Sequence, residues 1–273
     1  MMKAVLSAFV LFAVSVVPSL AEAGGSTKGS SDSAVCVGFG PQTPRDIDQP
    51  AGTNPVVFPM APAAERMNLC NIHFHKGAEN RAAAFSVPLP LTSNGESGGF
   101  ACQIASNLSA QERAPFAGNA CKGVEPGDTI EMHWVHSSCD VAPGPGLGSC
   151  LSEKCANPSL RVETKVFTVV NDPNAHDFGK FAASVERGGY AQASSLPTGT
   201  GDPVQFLGST TGPSYDQAVC SPLQVTWSVR PQCAKVSIQS LSRWCADNVF
   251  KEDHGHGVRF LVTEPTLLSQ ISK

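Results

Sequence analysis

Two segments of the chain alternate between apolar and polar residues, and their polar positions carry histidines. The first segment runs from residue 69 to residue 75. Successive side chains of a β-strand point to opposite faces of the sheet, so a strand here separates the two residue classes. One face would carry Cys70, Ile72 and Phe74, and the other Asn71, His73 and His75. The two imidazoles are therefore expected to converge on one side of a sheet.

The second segment, residues 129–136, has the same period of two. One face would carry Glu131, His133 and Val135, and the other Ile130, Met132, Trp134 and His136. Because His133 and His136 fall on opposite faces, they cannot both bind one metal ion unless the strand is bulged.

The histidines on the polar faces predict a metal site. His73, His75 and His133 would bind zinc and leave its fourth tetrahedral position to water, as in catalytic zinc sites. Cobalt or another divalent ion is also compatible with imidazole ligands. Asn71 and Glu131 are close enough in sequence to accept hydrogen bonds from the far nitrogens of these rings. The alternative is that histidines at this spacing are ordinary surface residues.

The N-terminus reads as an export signal. Lys3 precedes an apolar run over residues 4–17, and Ala21-Glu22-Ala23 supplies a small-x-small cleavage site, so residues 1–23 are predicted to be a signal peptide. A flexible Gly- and Ser-rich leader, 24–34, and one domain, 35–273, would follow. The predicted location is secreted or periplasmic. No later run has the roughly 20 apolar residues of a membrane span, and a net charge of −4 favours no nucleic acid partner.

All ten cysteines follow the predicted signal peptide, and export permits disulfides. Their connectivity cannot be deduced from spacing. Metal ligation by Cys139, Cys150 or Cys155 is the competing interpretation. The Gly- and Pro-rich residues 141–149 resemble a loop held by disulfides, placed near the mouth of the site.

Other elements complete a mainly β, α+β domain with a central sheet and short flanking helices. Strands are predicted from their Val, Ile, Phe and Thr content at 161–170, 223–229, 235–238 and 258–263. The spacing of Leu241, Trp244, Cys245 and Val249 predicts a helix over 240–250.

Three blocks of the sequence resemble carbonic anhydrases. Residues 71–75 and 131–136 are similar to the two metal strands of the α-class, and Phe206 to Pro213 with Val225 to Val229 is similar to its Thr-Thr loop and the strand after it. The run His73 to Asn80, with Lys76-Gly77-Ala78-Glu79, resembles the δ-class more closely. The resemblance covers some fifty residues and implies an α-carbonic-anhydrase-like fold.

The resemblance also implies roles for single residues. The activity would be reversible hydration of carbon dioxide to bicarbonate by hydroxide on zinc held by His73, His75 and His133. Thr210 would accept a hydrogen bond from that hydroxide, and Thr211 would line the substrate site. The loop is one residue shorter than in the α-class, so the sequence alone leaves open which of the two threonines accepts this hydrogen bond. The remaining roles fall to Glu79 (holding the threonine), Val135 and Val225 (apolar substrate wall), and Cys36 with Cys220 (disulfide).

The chain has no histidine before His73, so the proton-shuttle histidine of the α-class has no counterpart. His176, His254 and His256 are the candidates. The charged, Gly-rich residues 251–257 resemble a δ-class segment and are predicted to form a solvated turn, with a second metal site as the alternative. Two other functions stay open: a metalloenzyme with another reaction, such as ester hydrolysis or a cupin-like oxygenation, and a binding module without catalysis.

Overall fold

The computed structural model describes residues 36–272, so the predicted signal peptide and leader lie outside the described residues. The protein is mainly β with a central mixed sheet and a few short helices, as predicted. Within residues 36–272, every helix is too short or too polar to cross a lipid bilayer.

Ten strands carry the fold of the described part of the chain. Their bounds are β1 Asn68–Lys76, β2 Phe85–Pro88, β3 Phe100–Cys102, β4 Thr129–Ser137, β5 Leu160–Val170, β6 Ser184–Arg187, β7 Tyr190–Ala193, β8 Val204–Ser209, β9 Gln224–Val229 and β10 Ala234–Ser237. The α-helices are α1 Gly179–Ala182 and α2 Ile238–Ala246, and 3-10 turns lie at Ala64–Arg66, Gln103–Asn107, Leu147–Cys150 and Pro265–Leu267.

The central sheet runs in the order β1-β4-β5-β9-β8. β1 and β4 are antiparallel to each other, as are β4 and β5, and β9 is parallel to β5. β9 pairs with the first part of β5, residues 161–164, and β10 pairs with its last part, residues 167–170. The histidine strands β1 and β4 are therefore neighbours.

The two faces of the sheet are covered by separate cores. The first core lies opposite the histidines and includes Ile72, Phe74, Ile130, Met132, Trp134, Phe167 and Leu241. The second core lies on the histidine side and includes Val135, Val162, Val166, Val225, Trp227 and Phe206. Burial of each large apolar side chain contributes roughly 1.5–3 kcal/mol, so both faces fix the positions of β1 and β4.

One part of the predicted alternation in β1 is wrong. The register against β4 shifts between Leu69 and Asn71, which makes Cys70 the extra residue of a β-bulge. Leu69 consequently joins the first core, while Cys70 joins the second core. The alternation from Asn71 onward is unaffected.

Three further boundaries differ from the predictions. α2 begins at Ile238, because β10 ends at Ser237, and it ends at Ala246, because Asp247 has extended backbone angles. The predicted strand 258–263 is absent, apart from one bridge between Val258 and Ser97. Its backbone N–H groups instead donate to a loop carbonyl, as from Val262 N to Pro44 O, and to the side chains of Glu79 and Gln217.

All ten cysteines are paired, which excludes them as metal ligands. The pairs are Cys36–Cys220, Cys70–Cys150, Cys102–Cys233, Cys121–Cys245 and Cys139–Cys155. The first is the pair implied by the family resemblance. Five disulfides indicate that the chain folds in an oxidising compartment.

Candidate metal centre

Three histidines meet on one face of the sheet. His73 lies directly opposite His133 across the β1–β4 ladder, and His75 is on the same face of β1. One ring nitrogen from each lies within 4.8 Å of the other two. Within residues 36–272 this is the one group of three or more metal-ligating side chains, and it is the group predicted from the sequence.

Asn71 and Glu131, the two partners predicted from the sequence, hold the rings of His73 and His133 by hydrogen bonds. His73 Nδ1 donates a hydrogen bond to Asn71 Oδ1 at 2.6 Å. His133 Nε2 donates to Glu131 Oε1 at 3.0 Å. Glu131 is itself fixed by Asn80, whose backbone N–H and side-chain amide both donate to it. These bonds leave Nε2 of His73 and Nδ1 of His133 as the nitrogens with free lone pairs.

The ring of His75 is held by a residue that sequence reasoning missed. Its Nδ1 donates to the backbone carbonyl of Gly257 at 2.8 Å, and its Nε2 is a buried atom with no hydrogen-bond partner. A backbone carbonyl leaves no side-chain signature. The sequence offered one signal, the pattern Gly255-His256-Gly257. In the structure a Cβ on Gly255 would lie only 3.0 Å from the backbone nitrogen of Lys76, so glycine lets this segment approach β1 closely.

The free nitrogens fit a divalent cation. His73 Nε2 and His133 Nδ1 are 3.2 Å apart, and both are acceptors once their other nitrogens carry the protons. A cation between them, also bound by the orphaned Nε2 of His75, would satisfy all three. Burial lowers the pKa of His75 to about 4 and, with the neighbouring imidazoles, lowers the pKa of His73 and His133 well below 6.5. The rings are therefore neutral, which is the form that binds metal.

Glu79 lies beside the histidines and holds a threonine. Thr211 Oγ1 donates to Glu79 Oε2 at 2.7 Å, and the backbone N–H of Arg259 donates to Oε1 at 3.1 Å. Glu79 is fully buried. Burial, and next the charge of Glu131, raise the pKa of Glu79 to about 8. A bound divalent cation would oppose this shift by favouring the ionised carboxylate.

Thr210 has a different partner. Its hydroxyl shares a 2.6 Å hydrogen bond with Ser221 Oγ, and its backbone N–H donates to Leu223 O. Both threonines line the cavity, but Thr211 is the one that bonds to Glu79. The hydroxyl bonded to Glu79 therefore belongs to Thr211, the residue after Thr210.

The histidines form the floor of a cavity of about 300 Å³. One wall is apolar and contains the predicted Val135 and Val225. Leu147, Leu160, Val162 and Trp227 extend it. The polar part of the lining is built by Thr210, Thr211, Glu252, His256 and Gly257. Leu147 belongs to the loop 141–149, so this loop borders the cavity.

Residues 255–257 lie along the edge of β1, so the prediction of a solvated turn over the whole of 251–257 is wrong. His256 N donates to Phe74 O, and Lys76 N donates to His256 O. Glu252 is only 6% exposed and accepts a hydrogen bond from His256 Nε2 at 2.8 Å. The ring centroid of His256 lies 5.5 Å from that of His73.

The other histidines lie away from the three nitrogens. His254 is next to His256, with ring centroids 5.2 Å apart, and its side chain is 55% exposed. His176 packs against Phe167 and Phe181 on the opposite side of the sheet. His136 is buried, donates from Nδ1 to the carbonyl of Trp134 and does not belong to the three-histidine group.

Comparison with known families decides the relationship. A family model described as Delta carbonic anhydrase matches residues 64–240, more than half of the chain. The chain belongs to the delta carbonic anhydrase family. The resemblance predicted from the sequence is thereby confirmed, and the match includes the three histidines, Glu79 and both threonines. The comparison with curated proteins gave no match. For this delta carbonic anhydrase, family membership implies a divalent metal and carbon dioxide or bicarbonate as substrate.

Proposed function

We propose that this delta carbonic anhydrase catalyses the reversible, zinc-dependent hydration of carbon dioxide. The observation that carries the proposal is the convergence of three neutral imidazole nitrogens on one point, with the Thr211–Glu79 pair and an apolar wall around it. Three imidazole ligands and an open position suit zinc, and cobalt would also be accepted. When bound, such an ion would lower the pKa of a coordinated water to about 7 and so supply the nucleophile at neutral pH.

Thr211 is proposed to orient the attacking oxygen. Its only proton is committed to Glu79 Oε2, so the hydroxyl oxygen is left as an acceptor. An acceptor here would take a hydrogen bond from the nucleophile and so leave a lone pair of its oxygen free for the substrate carbon. Glu79 is the group that enforces this direction, and the backbone N–H of Arg259 fixes its second oxygen. Thr210 would support the loop through Ser221.

The apolar wall is proposed as the place where carbon dioxide rests. Val135 on β4 and Val225 on β9 are each 1% exposed and both line the cavity with His133. A small uncharged substrate gains from a surface that binds water poorly. Bicarbonate is charged and has no partner on this wall, which favours its release.

The proton produced by the reaction needs a way out, and His256 is the shuttle candidate that lines the cavity. From His256, the exposed His254 continues the path to solvent. His176 packs against Phe167 and Phe181 on the other side of the sheet, which argues against this role for it. We also propose that the protein works in a secreted or periplasmic location, in keeping with its five disulfides.

Stopped-flow hydration of carbon dioxide by the purified protein, with metal content measured on the same samples, tests the proposal. Wild type should hydrate carbon dioxide rapidly with about one zinc per chain, and His133→Ala should lose both properties. His136→Ala is the matched control, because its histidine lies on the same strand but faces away from the metal; it should keep both. Bound zinc with no hydration would refute the proposed reaction and leave ester hydrolysis or metal binding without catalysis.

A further inference from the structure

One side-chain amide, that of Asn71, links the loop between Cys139 and Cys155 to a histidine of the metal site. Asn71 Nδ2 donates to the backbone carbonyl of Gly144 at 3.1 Å, and Gly144 N donates to the carbonyl of Cys70 at 3.0 Å. The other end of the same Asn71 amide, Oδ1, accepts the hydrogen bond from His73 Nδ1. A chain of two hydrogen bonds therefore joins the loop to a metal ligand.

The donor and acceptor roles of these groups fix the orientation of the Asn71 amide. A carbonyl oxygen can only accept, so Gly144 selects the NH2 end of the Asn71 amide and turns its oxygen toward His73. That oxygen in turn requires the proton of His73 to be on Nδ1, which leaves the Nε2 lone pair for the metal. Without Gly144 in place, the amide is free to rotate, and both orientation and tautomer of His73 lose their support.

Gly144 itself is held by disulfides. Its neighbours along the chain are Pro143 and Pro145, and the segment 140–146 contains no helix or strand. The loop is instead tied to β1 by the buried Cys70–Cys150 disulfide and closed at its base by Cys139–Cys155. The bulge in β1 places Cys70 on the loop side directly before Asn71.

We propose that this loop is a positioning element of the metal site, and that the Cys70–Cys150 disulfide sets the metal affinity of the three histidines by holding Gly144 against Asn71. The proposal rests on the proposed function, since it requires a metal at His73. Groups that hold metal-bound imidazoles typically change metal affinity by 10–100-fold. Opening this disulfide should therefore weaken binding within that range without removing any ligand.

The test is the affinity of the purified full-length protein for Zn²⁺ and Co²⁺, measured by competition with a chelator. Cys70→Ala/Cys150→Ala should bind each ion 10–100-fold more weakly than wild type. Cys102→Ala/Cys233→Ala is the matched control, because that disulfide joins β3 to the chain after β9 and has no hydrogen bond to Asn71 or the histidines. Its affinity should change by less than about threefold.

A double-mutant cycle with Asn71→Ala shows whether the disulfide acts through Asn71. Asn71→Ala should cost 10–100-fold in the intact protein and little in the Cys70→Ala/Cys150→Ala background, because coupled residues give non-additive effects. Additive losses would overturn the proposal.

If the disulfide variant does not fold, Pro143→Gly/Pro145→Gly loosens the loop with every disulfide intact and should weaken metal binding in the same direction; unchanged affinity would overturn the proposal. A wild type that binds neither ion would instead refute the proposed function.

Discussion

Replacing Thr211 by valine should slow carbon dioxide hydration about 100-fold or more while leaving the metal bound. Thr211 donates to a fully buried carboxylate at 2.7 Å. A hydrogen bond to a charged group contributes about 1.5–3 kcal/mol, and loss of one aligned polar partner of the reacting atoms costs about 10²–10³ in kcat, or roughly 2.7–4 kcal/mol. Valine keeps the shape of threonine but cannot accept from the nucleophile or donate to Glu79.

The control is Thr210→Val, one residue earlier in the same loop. Its hydroxyl pairs with Ser221, so the expected effect is a loss of about 1–3 kcal/mol in the free energy of unfolding with less than tenfold loss of rate. Stopped-flow hydration gives kcat/KM, metal analysis shows that the site is loaded, and urea unfolding gives the stability. A larger rate loss in Thr210→Val than in Thr211→Val would refute the assignment of Thr211.

Three other predictions follow from single contacts. His136 is buried with its pKa lowered to about 4 from an unfolded value near 6.5, so the unfolded chain binds the proton first, and stability is lost as pH falls through this window. Between pH 7 and pH 5, the free energy of unfolding of the metal-free wild type, measured in urea, should fall by about 2 kcal/mol more than that of His136→Gln. An equal fall in both proteins would contradict the burial of a neutral ring. His256→Ala should lower the hydration rate at low buffer concentration about tenfold, with recovery on adding imidazole, and His176→Ala should not; a buffer-independent defect would argue against a shuttle. Cys36→Ser/Cys220→Ser should reduce the free energy of unfolding by about 2–5 kcal/mol, because the disulfide spans 184 residues, and a loss of metal rather than stability would show that our account of this disulfide is wrong.

The metal face was predictable because it depends on a local rule. Alternation within β1 and β4 fixes which face each histidine takes, and antiparallel pairing then brings His73 opposite His133. The same rule gave Asn71 and Glu131 as partners of these rings, since each lies two residues before its histidine on the same face.

The errors arose where distant contacts decide the outcome. The bulge at Cys70 belongs to the pairing with β4 and has no signature in the sequence of β1 alone. Gly257 reaches His75 from 182 residues away through a backbone atom. The segment 258–263 has strand-like composition, but its N–H groups find partners in loops rather than in a neighbouring strand.

The threonine pair shows what a resemblance can and cannot supply. It identified the loop, but the loop here is one residue shorter, and only the position of Glu79 distinguishes the two hydroxyls. Glu79 meets the loop through tertiary packing across 132 residues, which no spacing within the sequence reveals.

The three histidines are proposed to hold a metal that activates water toward carbon dioxide. Exchange of ¹⁸O between labelled carbon dioxide and water, followed by mass spectrometry, measures this interconversion at chemical equilibrium. We predict catalysed exchange in proportion to bound zinc, absent from the metal-free protein and restored by adding one equivalent of zinc. Exchange no faster than in buffer, with one zinc bound per chain, would contradict the account.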